Sequence, residues 1–238
     1  MPLMDYKREM ARVSGLLASG KTERMTMMVN VKTALSAAVL TGMLASSAAL
    51  AGEQPATDSL EEVPTGTYDL DGLHSKITWA VDHYGFSTYQ GQFTEVTGSL
   101  ELAEALTESQ LMIEIPLAQV LTGSDLDDHL QSEDFFNTEE NATATFRSTS
   151  IEMDGDDEGT ITGDLTLNGQ THEITIDATF NQAAVYPFDE NYRLGFDGEA
   201  TLTRSDYGID YLLPEGDSNM GISDEVELHI AAEFIPES

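Results

Sequence analysis

The stretch TITGDLTLNGQTHEITIDATF, at 160–180, constrains the fold of this chain more than any other part of the sequence. Apolar and polar residues alternate on both sides of Asn168-Gly169, a dipeptide typical of a β-hairpin closed by a type I′ turn. With a two-residue loop, the predicted pairs are Ile161 with Ile176, Gly163 with Ile174, and Leu165 with His172. The apolar side chains of both strands therefore share one face, which covers either a packed core or a cavity. On that face Gly163 has no side chain, which leaves room opposite Ile174.

The same alternation recurs along the chain and predicts further strands at 70–83, 96–102, 111–117, 144–153, 192–204 and 225–234. Two glycines and two tyrosines at 84–92 predict a bend. Between 121 and 136, Leu126 and Leu130 are spaced four apart behind Ser124, which predicts one short helix. About eight antiparallel strands, each with one apolar face, can form either a barrel with a ligand lumen or a two-sheet sandwich.

The first part of the chain is predicted to be a signal peptide. An apolar run at 34–51 ends in Ala-Leu-Ala, a pattern typical of secretory cleavage. The alternative is a membrane anchor, since this run lies at the lower edge of a spanning length. We assign 1–51 to the signal peptide and expect that the true start codon lies after Met1. We also expect a periplasmic or secreted protein. Residues 52–66 are polar with two prolines and predict a flexible leader, followed by one domain at 67–236.

The charge of the chain excludes two classes of partner. Without 1–51, four basic residues remain against 40 acidic ones, a net charge of −36. Such a surface repels nucleic acid and anionic lipid headgroups. We interpret the acidic surface as halophilic, because high salt screens the repulsion between carboxylates. The absence of cysteine excludes disulfides, thiolate metal sites and a cysteine nucleophile.

Few side chains suggest a metal-binding or catalytic site. None of the five histidines forms an H-x-x-x-H or H-E-x-x-H pair, so no metal site is predicted. His83 and His172 fall on apolar faces near strand ends, where each contacts either the polar end of a ligand or the backbone. The acidic turn at 154–159 begins like a calcium loop, but Leu165 stands where the loop requires a glutamate. Ser124, followed by aspartates and a histidine, lacks a nucleophile elbow, so no catalytic residue is predicted.

Five segments occur in the order and spacing of the YceI-like family of bacterial periplasmic proteins. They are YDLDGLHSKITWAVDHYGFSTYQGQF (68–93), TGSDLDDHLQSEDFF (122–136), ATFRSTSI (144–151), GDLTLNGQTHEI (163–174) and TRSDYGI (203–209). The chain resembles that family over nearly the whole predicted domain. It departs at Leu126 and Gln131, where similar sequences carry basic residues, and at Ala142 and Glu173, where they often carry proline. In the family, His74-Ser75 implies a structural hydrogen bond.

The resemblance implies an all-β fold, an extended eight-stranded antiparallel β-barrel of the lipocalin type with one short helix. Its apolar lumen would hold a polyisoprenoid chain, such as a quinone tail or a polyprenyl lipid. By strand parity, the predicted lumen residues are Ile77, Trp79, Val81, His83, Phe146, Leu165, His172, Ile174, Ile176, Phe180, Phe196, Leu202, Leu228 and Ile230.

We therefore expect a non-enzymatic protein that binds, sequesters or transports an isoprenoid lipid in the periplasm. No cofactor and no metal are expected, nor a nucleic-acid partner or stable membrane insertion, and a homodimer is left open. One alternative is an enzyme that acts on an isoprenoid or other apolar substrate in the same lumen, with His83 or His172 as acid or base. Another is a structural β-sandwich without a ligand.

Overall fold

The computed structural model describes residues 54, 56–216, 218 and 220–237. Within them lie eleven strands: β1 (Gly66–Leu70), β2 (Lys76–His83), β3 (Ser87–Phe93), β4 (Thr97–Leu102), β5 (Gln110–Pro116), β6 (Val120–Leu121), β7 (Thr143–Met153), β8 (Glu158–Leu167), β9 (Gln170–Val185), β10 (Tyr192–Thr203) and β11 (Glu225–Pro236). The same residues contain one α-helix, α1 (Asp127–Leu130), and 3-10 turns at Leu60–Glu62, Leu106–Glu108, Leu117–Gln119 and Arg204–Tyr207.

The strands form one antiparallel sheet that closes on itself, because β1 pairs with both β4 and β11. Three strands of the barrel are composite. β1 and β2 follow one another along β11, β3 continues into β4, and β5 continues into β6. Together with β7 to β11 these make the eight strands of a closed barrel, so the predicted fold is confirmed and the sandwich alternative is wrong.

The breaks inside the composite strands differ from the sequence prediction. The strand predicted at 70–83 is interrupted by a turn in which Asp71 Oδ1 accepts a hydrogen bond from the Leu73 N–H at 3.0 Å. The bend predicted at 84–92 is shorter than expected. It is confined to a turn in which Tyr84 has φ +60° and Gly85 φ +68°, and β3 begins at Ser87. The predicted helix is a single turn at Asp127–Leu130.

The hairpin at 160–180 forms as predicted. β8 and β9 pair in the expected register, including Ile161 with Ile176. Asn168 and Gly169 have φ values of +49° and +72°, the left-handed values that a type I′ turn requires. The Asn168 side chain donates a hydrogen bond to the Phe135 carbonyl at 2.8 Å. This contact fixes the turn against the segment after α1, at what we call the helix end of the barrel.

Part of the segment predicted as a flexible leader packs on the barrel. Thr57 forms two backbone hydrogen bonds with Ala183, of 2.9 and 2.8 Å, on the part of β9 beyond its pairing with β8. Leu60 and Val63 are buried. These side chains join a buried cluster with Leu100, Leu102, Phe180, Leu194 and Phe234, which closes the opposite end of the barrel, the leader end.

The predicted signal peptide at 1–51 and its start lie outside the described residues. Among the described residues, no helix has the length and apolar character needed to cross a membrane.

Candidate ligand-binding cavity

The interior of the barrel contains a cavity of about 500 Å³. This volume falls within the roughly 300–1,000 Å³ typical of small-molecule sites. Every predicted lumen residue except His172 lies on its wall, namely Ile77, Trp79, Val81, His83, Phe146, Leu165, Ile174, Ile176, Phe180, Phe196, Leu202, Leu228 and Ile230. Inward residues of β4 and β5 that the sequence analysis did not assign to the lumen, among them Leu100, Ile113 and Ile115, also line it.

Strict alternation along the strands produces this wall. In β11, Val226, Leu228 and Ile230 face the cavity, whereas the intervening Glu227 and His229 are exposed. The neighbouring β2 matches this register, because Trp79 pairs with Leu228 and Ile77 pairs with Ile230. Adjacent strands thus place their apolar side chains on one continuous inner surface.

Two glycines make room for aromatic rings inside the barrel. A Cβ at Gly91 would overlap the Trp79 indole, and a Cβ at Gly163 would overlap the Phe146 ring. The expectation that Gly163 leaves room is therefore correct only in part, because Phe146 occupies that space. The space beside the two glycines is therefore filled by the rings and does not enlarge the cavity.

A buried cation, Arg204, lines the helix end of the cavity. Its guanidinium donates to the carbonyl oxygens of Ser223 at 2.8 Å, Ile209 at 2.8 Å and Ile222 at 2.9 Å. Burial lowers the pKa of Arg204, and the nearby Asp224 and Asp210 oppose that effect. Sequence analysis missed this residue, although the even-numbered inward positions of β10 lead directly from Leu202 to Arg204.

The two histidines proposed to contact a ligand behave differently. His83 is exposed and lies on the cavity wall, with its ring 5.0 Å from that of Tyr84 and 6.1 Å from that of Tyr89. His172 does not reach the cavity. Its exposed ring packs against the edge of the buried Tyr207 ring at 5.2 Å, because the 3-10 turn after β10 brings Tyr207 beside it.

An ion-pair cluster around Arg193 ties together three segments at the leader end. Arg193 donates to Asp71 at 2.5 Å, Asp189 at 2.6 Å and Glu233 at 2.8 Å. Burial opposes ionisation of Asp71, but hydrogen bonds from His74 and Arg193 outweigh it and lower the pKa of Asp71. The hydrogen bond from Arg193 likewise lowers the pKa of Asp189.

The oxygen and nitrogen ligand atoms of Asp71, His74 and Glu233 lie within 4.8 Å of one another, close enough to hold a metal ion. The guanidinium of Arg193 already contacts both carboxylates, so the cluster is organised as an ion pair. Ser75 Oγ accepts a hydrogen bond from the Glu233 N–H at 2.9 Å. His74 and Ser75 thus have the structural hydrogen bonds that the family resemblance implied.

The other candidate groups are engaged in local contacts. Ser124 Oγ lies 3.2 Å from the Tyr89 hydroxyl, whereas His129 Nε2 lies 2.9 Å from Asp134 Oδ2. The serine and the histidine therefore have different partners, and they do not form a catalytic triad. Asp154 donates its N–H to the Glu158 carbonyl at 2.9 Å, which closes the turn between β7 and β8.

Comparison with known proteins gives one consistent family. The sequence model of the YceI-like domain matches residues 68–234. A UPF0312 protein of Pseudomonas aeruginosa is 37% identical over 169 residues, which cover 70% of this chain and 84% of that protein. A UPF0312 protein of Ectopseudomonas mendocina is 35% identical over 181 residues, covering 75% and 88% of the two chains.

Solved structures show the same fold. Burkholderia cenocepacia BcnA aligns with a TM-score of 0.59 at 21% identity, over 69% of this chain and 98% of that chain. The Campylobacter jejuni YCEI protein aligns with a TM-score of 0.56 at 27% identity, over 66% and 90%. A polyisoprenoid binding domain from Saccharophagus degradans, implicated in plant cell wall breakdown, aligns with a TM-score of 0.54 at 14% identity, over 73% and 100%.

Proposed function

Because this chain belongs to the YceI-like family, we propose that it binds an isoprenoid lipid, a polyprenyl chain or a quinone tail, in the lumen of its barrel. The observation that carries the proposal is the cavity of about 500 Å³, whose wall is built almost wholly from aliphatic and aromatic side chains. The description of the Saccharophagus degradans domain as polyisoprenoid binding supports the same ligand class.

Apolar burial provides the driving force for such binding. At about 0.8 kcal/mol per buried methylene, two isoprene units contribute several kcal/mol before the cost of association. The wall needs no directed polar contact to hold a chain of this kind. Its rigid aromatic side chains, Trp79 and Phe146 among them, would select by the width of the chain.

We further propose that the protein sequesters or transports the lipid unchanged, in the periplasm or outside the cell, without a cofactor. The apolar run at 34–51 supports export, because it is typical of a signal peptide. The polar end of a lipid at the helix end would lie beside His83 and Arg204, two of the titratable groups of the wall there. Arg204 has donated to three carbonyls already, and His83 has aromatic neighbours, so their arrangement supports binding better than proton transfer.

The experiment that tests this proposal is native mass spectrometry of the protein purified from its own cells, followed by solvent extraction of the bound molecule. We expect one isoprenoid per chain, recovered chemically unchanged, and the same spectrum reports the oligomeric state. An empty protein that also takes up neither added geranylgeraniol nor a prenyl quinone would contradict the proposal. A ligand that is altered on incubation would support an enzyme instead.

A variant that fills the lumen gives an independent prediction. Ala178 lines the cavity opposite Gly198 and Gly159, so Ala178→Trp should occupy ligand space and weaken isoprenoid binding at least about tenfold. Thr175→Trp, at an exposed position of the same strand, is the matched control and should bind as the unmodified protein does. Titration with geranylgeraniol measures both. Equal affinities in two folded variants would place the ligand outside the lumen.

A further inference from the structure

Four large apolar side chains are exposed at the helix end of the barrel. Phe86 is 80% exposed, Leu126 48%, Leu212 46% and Met220 59%. We call these four residues the apolar rim. Solvent-exposed apolar groups of this size, gathered in one place, are typical of an interaction surface.

Direct contacts join the segments that carry the rim. The Tyr84 N–H donates to the Gly221 carbonyl at 2.7 Å, which places the β2–β3 turn with Phe86 beside Met220. The Ile222 N–H donates to the Leu212 carbonyl at 2.8 Å. The ring of His129, within α1, packs edge-on against the Tyr211 ring at 5.2 Å, and this contact brings Leu126 near Leu212.

The apolar rim is continuous with the cavity. Leu126 and Leu212 belong to the cavity wall and are also about half exposed. At the leader end, by contrast, the side chains that close the barrel are buried, including Leu102, Phe180 and Phe234. The wall of the cavity therefore reaches solvent through apolar side chains at the helix end, where a lipid can enter without leaving apolar surroundings.

The charges around the rim restrict what it can contact. Asp82, Asp125, Asp128 and Asp210 are exposed on the same segments. Among the described residues these segments carry no exposed lysine or arginine, since Arg204 is buried. A surface of anionic lipids would be repelled, whereas a zwitterionic surface would not.

We propose that the apolar rim docks on a lipid bilayer of zwitterionic headgroups, so that an isoprenoid passes between the bilayer and the cavity without crossing water. The inference rests on the proposed function, because it assigns the route by which that ligand enters. Phe86 and Met220 contact the acyl boundary, and Leu126 and Leu212 connect it to the cavity wall. The surrounding aspartates confine docking to membranes of low negative charge.

The test uses two double variants of the full chain, each of which replaces two apolar side chains that are more than half exposed. Phe86→Ser with Met220→Ser alters the rim at positions outside the cavity wall. Leu73→Ser with Phe188→Ser, 85% and 80% exposed, removes two apolar side chains away from the helix end and is the control. Co-sedimentation with phosphatidylcholine vesicles should fall on the order of tenfold for the rim variant only. Phosphatidylglycerol vesicles should bind the unmodified protein weakly at low salt and better at high salt.

Separate readouts distinguish failure of the docking from failure of the function. Uptake of geranylgeraniol dispersed in water, without vesicles, should be equal in the unmodified protein and both variants, and thermal melts check that each is folded. Equal vesicle binding by the two variants, or none by the unmodified protein, would overturn the docking surface. If the rim variant instead abolishes a dimer, the rim contacts a second copy and the bilayer proposal is wrong. If vesicle binding depends on the rim but the protein takes up no isoprenoid, the docking proposal is supported and the proposed isoprenoid binding is wrong.

Discussion

Gly163 is a residue at which the packing of the barrel leaves no room for a Cβ. A Cβ there would overlap the Phe146 ring and lie 2.5 Å from the Arg147 carbonyl oxygen, which cannot move without disturbing the sheet. We expect Gly163→Ala to lower the free energy of unfolding by about 1–3 kcal/mol, because overpacking forces the backbone apart. Gly195→Ala is the control, since its Cβ would meet atoms no closer than 3.8 Å. Urea unfolding measures both, and equal losses would contradict the packing argument.

Asp71 gives a prediction that depends on pH. Its pKa is lowered in the folded protein, so its contribution to stability is present above its unfolded pKa of 3.8 and is lost as the pH falls through the folded value. Asp71→Asn should therefore cost on the order of 1 kcal/mol at neutral pH and progressively less below about pH 4. Urea unfolding of both proteins across that range measures the difference. A cost that stays constant to pH 2 would show that the pairing with Arg193 is unimportant.

Side-chain parity along the strands was enough to predict most of the cavity wall, because alternation fixes the inward face once a strand is recognised. It failed where the strands end. His172 has the inward parity but packs on Tyr207, and the 3-10 turn that places Tyr207 there has no periodic signal. Arg204 has the inward parity too, yet a charged residue is not expected on an apolar face until its three carbonyl partners are known.

The leader is an element that the barrel needs for its closed end. Leu60 is buried there and lies on the cavity wall, whereas its neighbour Glu61 is exposed. Leu60→Ala should lower the free energy of unfolding by about 2–3 kcal/mol, since it removes buried methyl groups and leaves a space at the base of the cavity. Glu61→Ala should change it by less than about 0.5 kcal/mol. Thermal unfolding of the two variants makes the comparison, and similar midpoints would mean that the leader detaches in solution.

The breaks in the composite strands show where the alternation of apolar residues does not predict the ends of a strand. The strand predicted at 70–83 rests on the alternation of Ile77, Trp79 and Val81, which continues only from the start of β2. What ends β1 is the local hydrogen bonding of Asp71 and its ion pair with Arg193, a residue distant in the sequence. Sequence analysis did not indicate that Thr57, Leu60 and Val63 pack on the barrel, because a short, mostly polar segment does not show that a sheet edge is available to it.

The net charge of the chain predicts that the stability of the whole molecule depends on salt. The 40 acidic residues that follow position 51 face only four basic ones, and the acidic side chains repel one another in the folded state. Raising the ionic strength from about 0.1 M to about 1 M shortens the screening length from about 10 Å to about 3 Å. We therefore expect the melting temperature to rise with sodium chloride. Sucrose at matched osmolarity is the control, and a midpoint that falls with salt would contradict the halophilic interpretation.

Closure of the barrel depends on its most distant strands. Tyr68 of β1 pairs with Pro236 of β11, so the seam joins the beginning of the domain to its last residues. A nascent chain can form the inner hairpins early, but it cannot close the seam until β11 has emerged. Loop closure over such a span slows folding. Until the seam closes, the half-formed barrel therefore exposes apolar inner surface to solvent, which favours aggregation or capture by a chaperone.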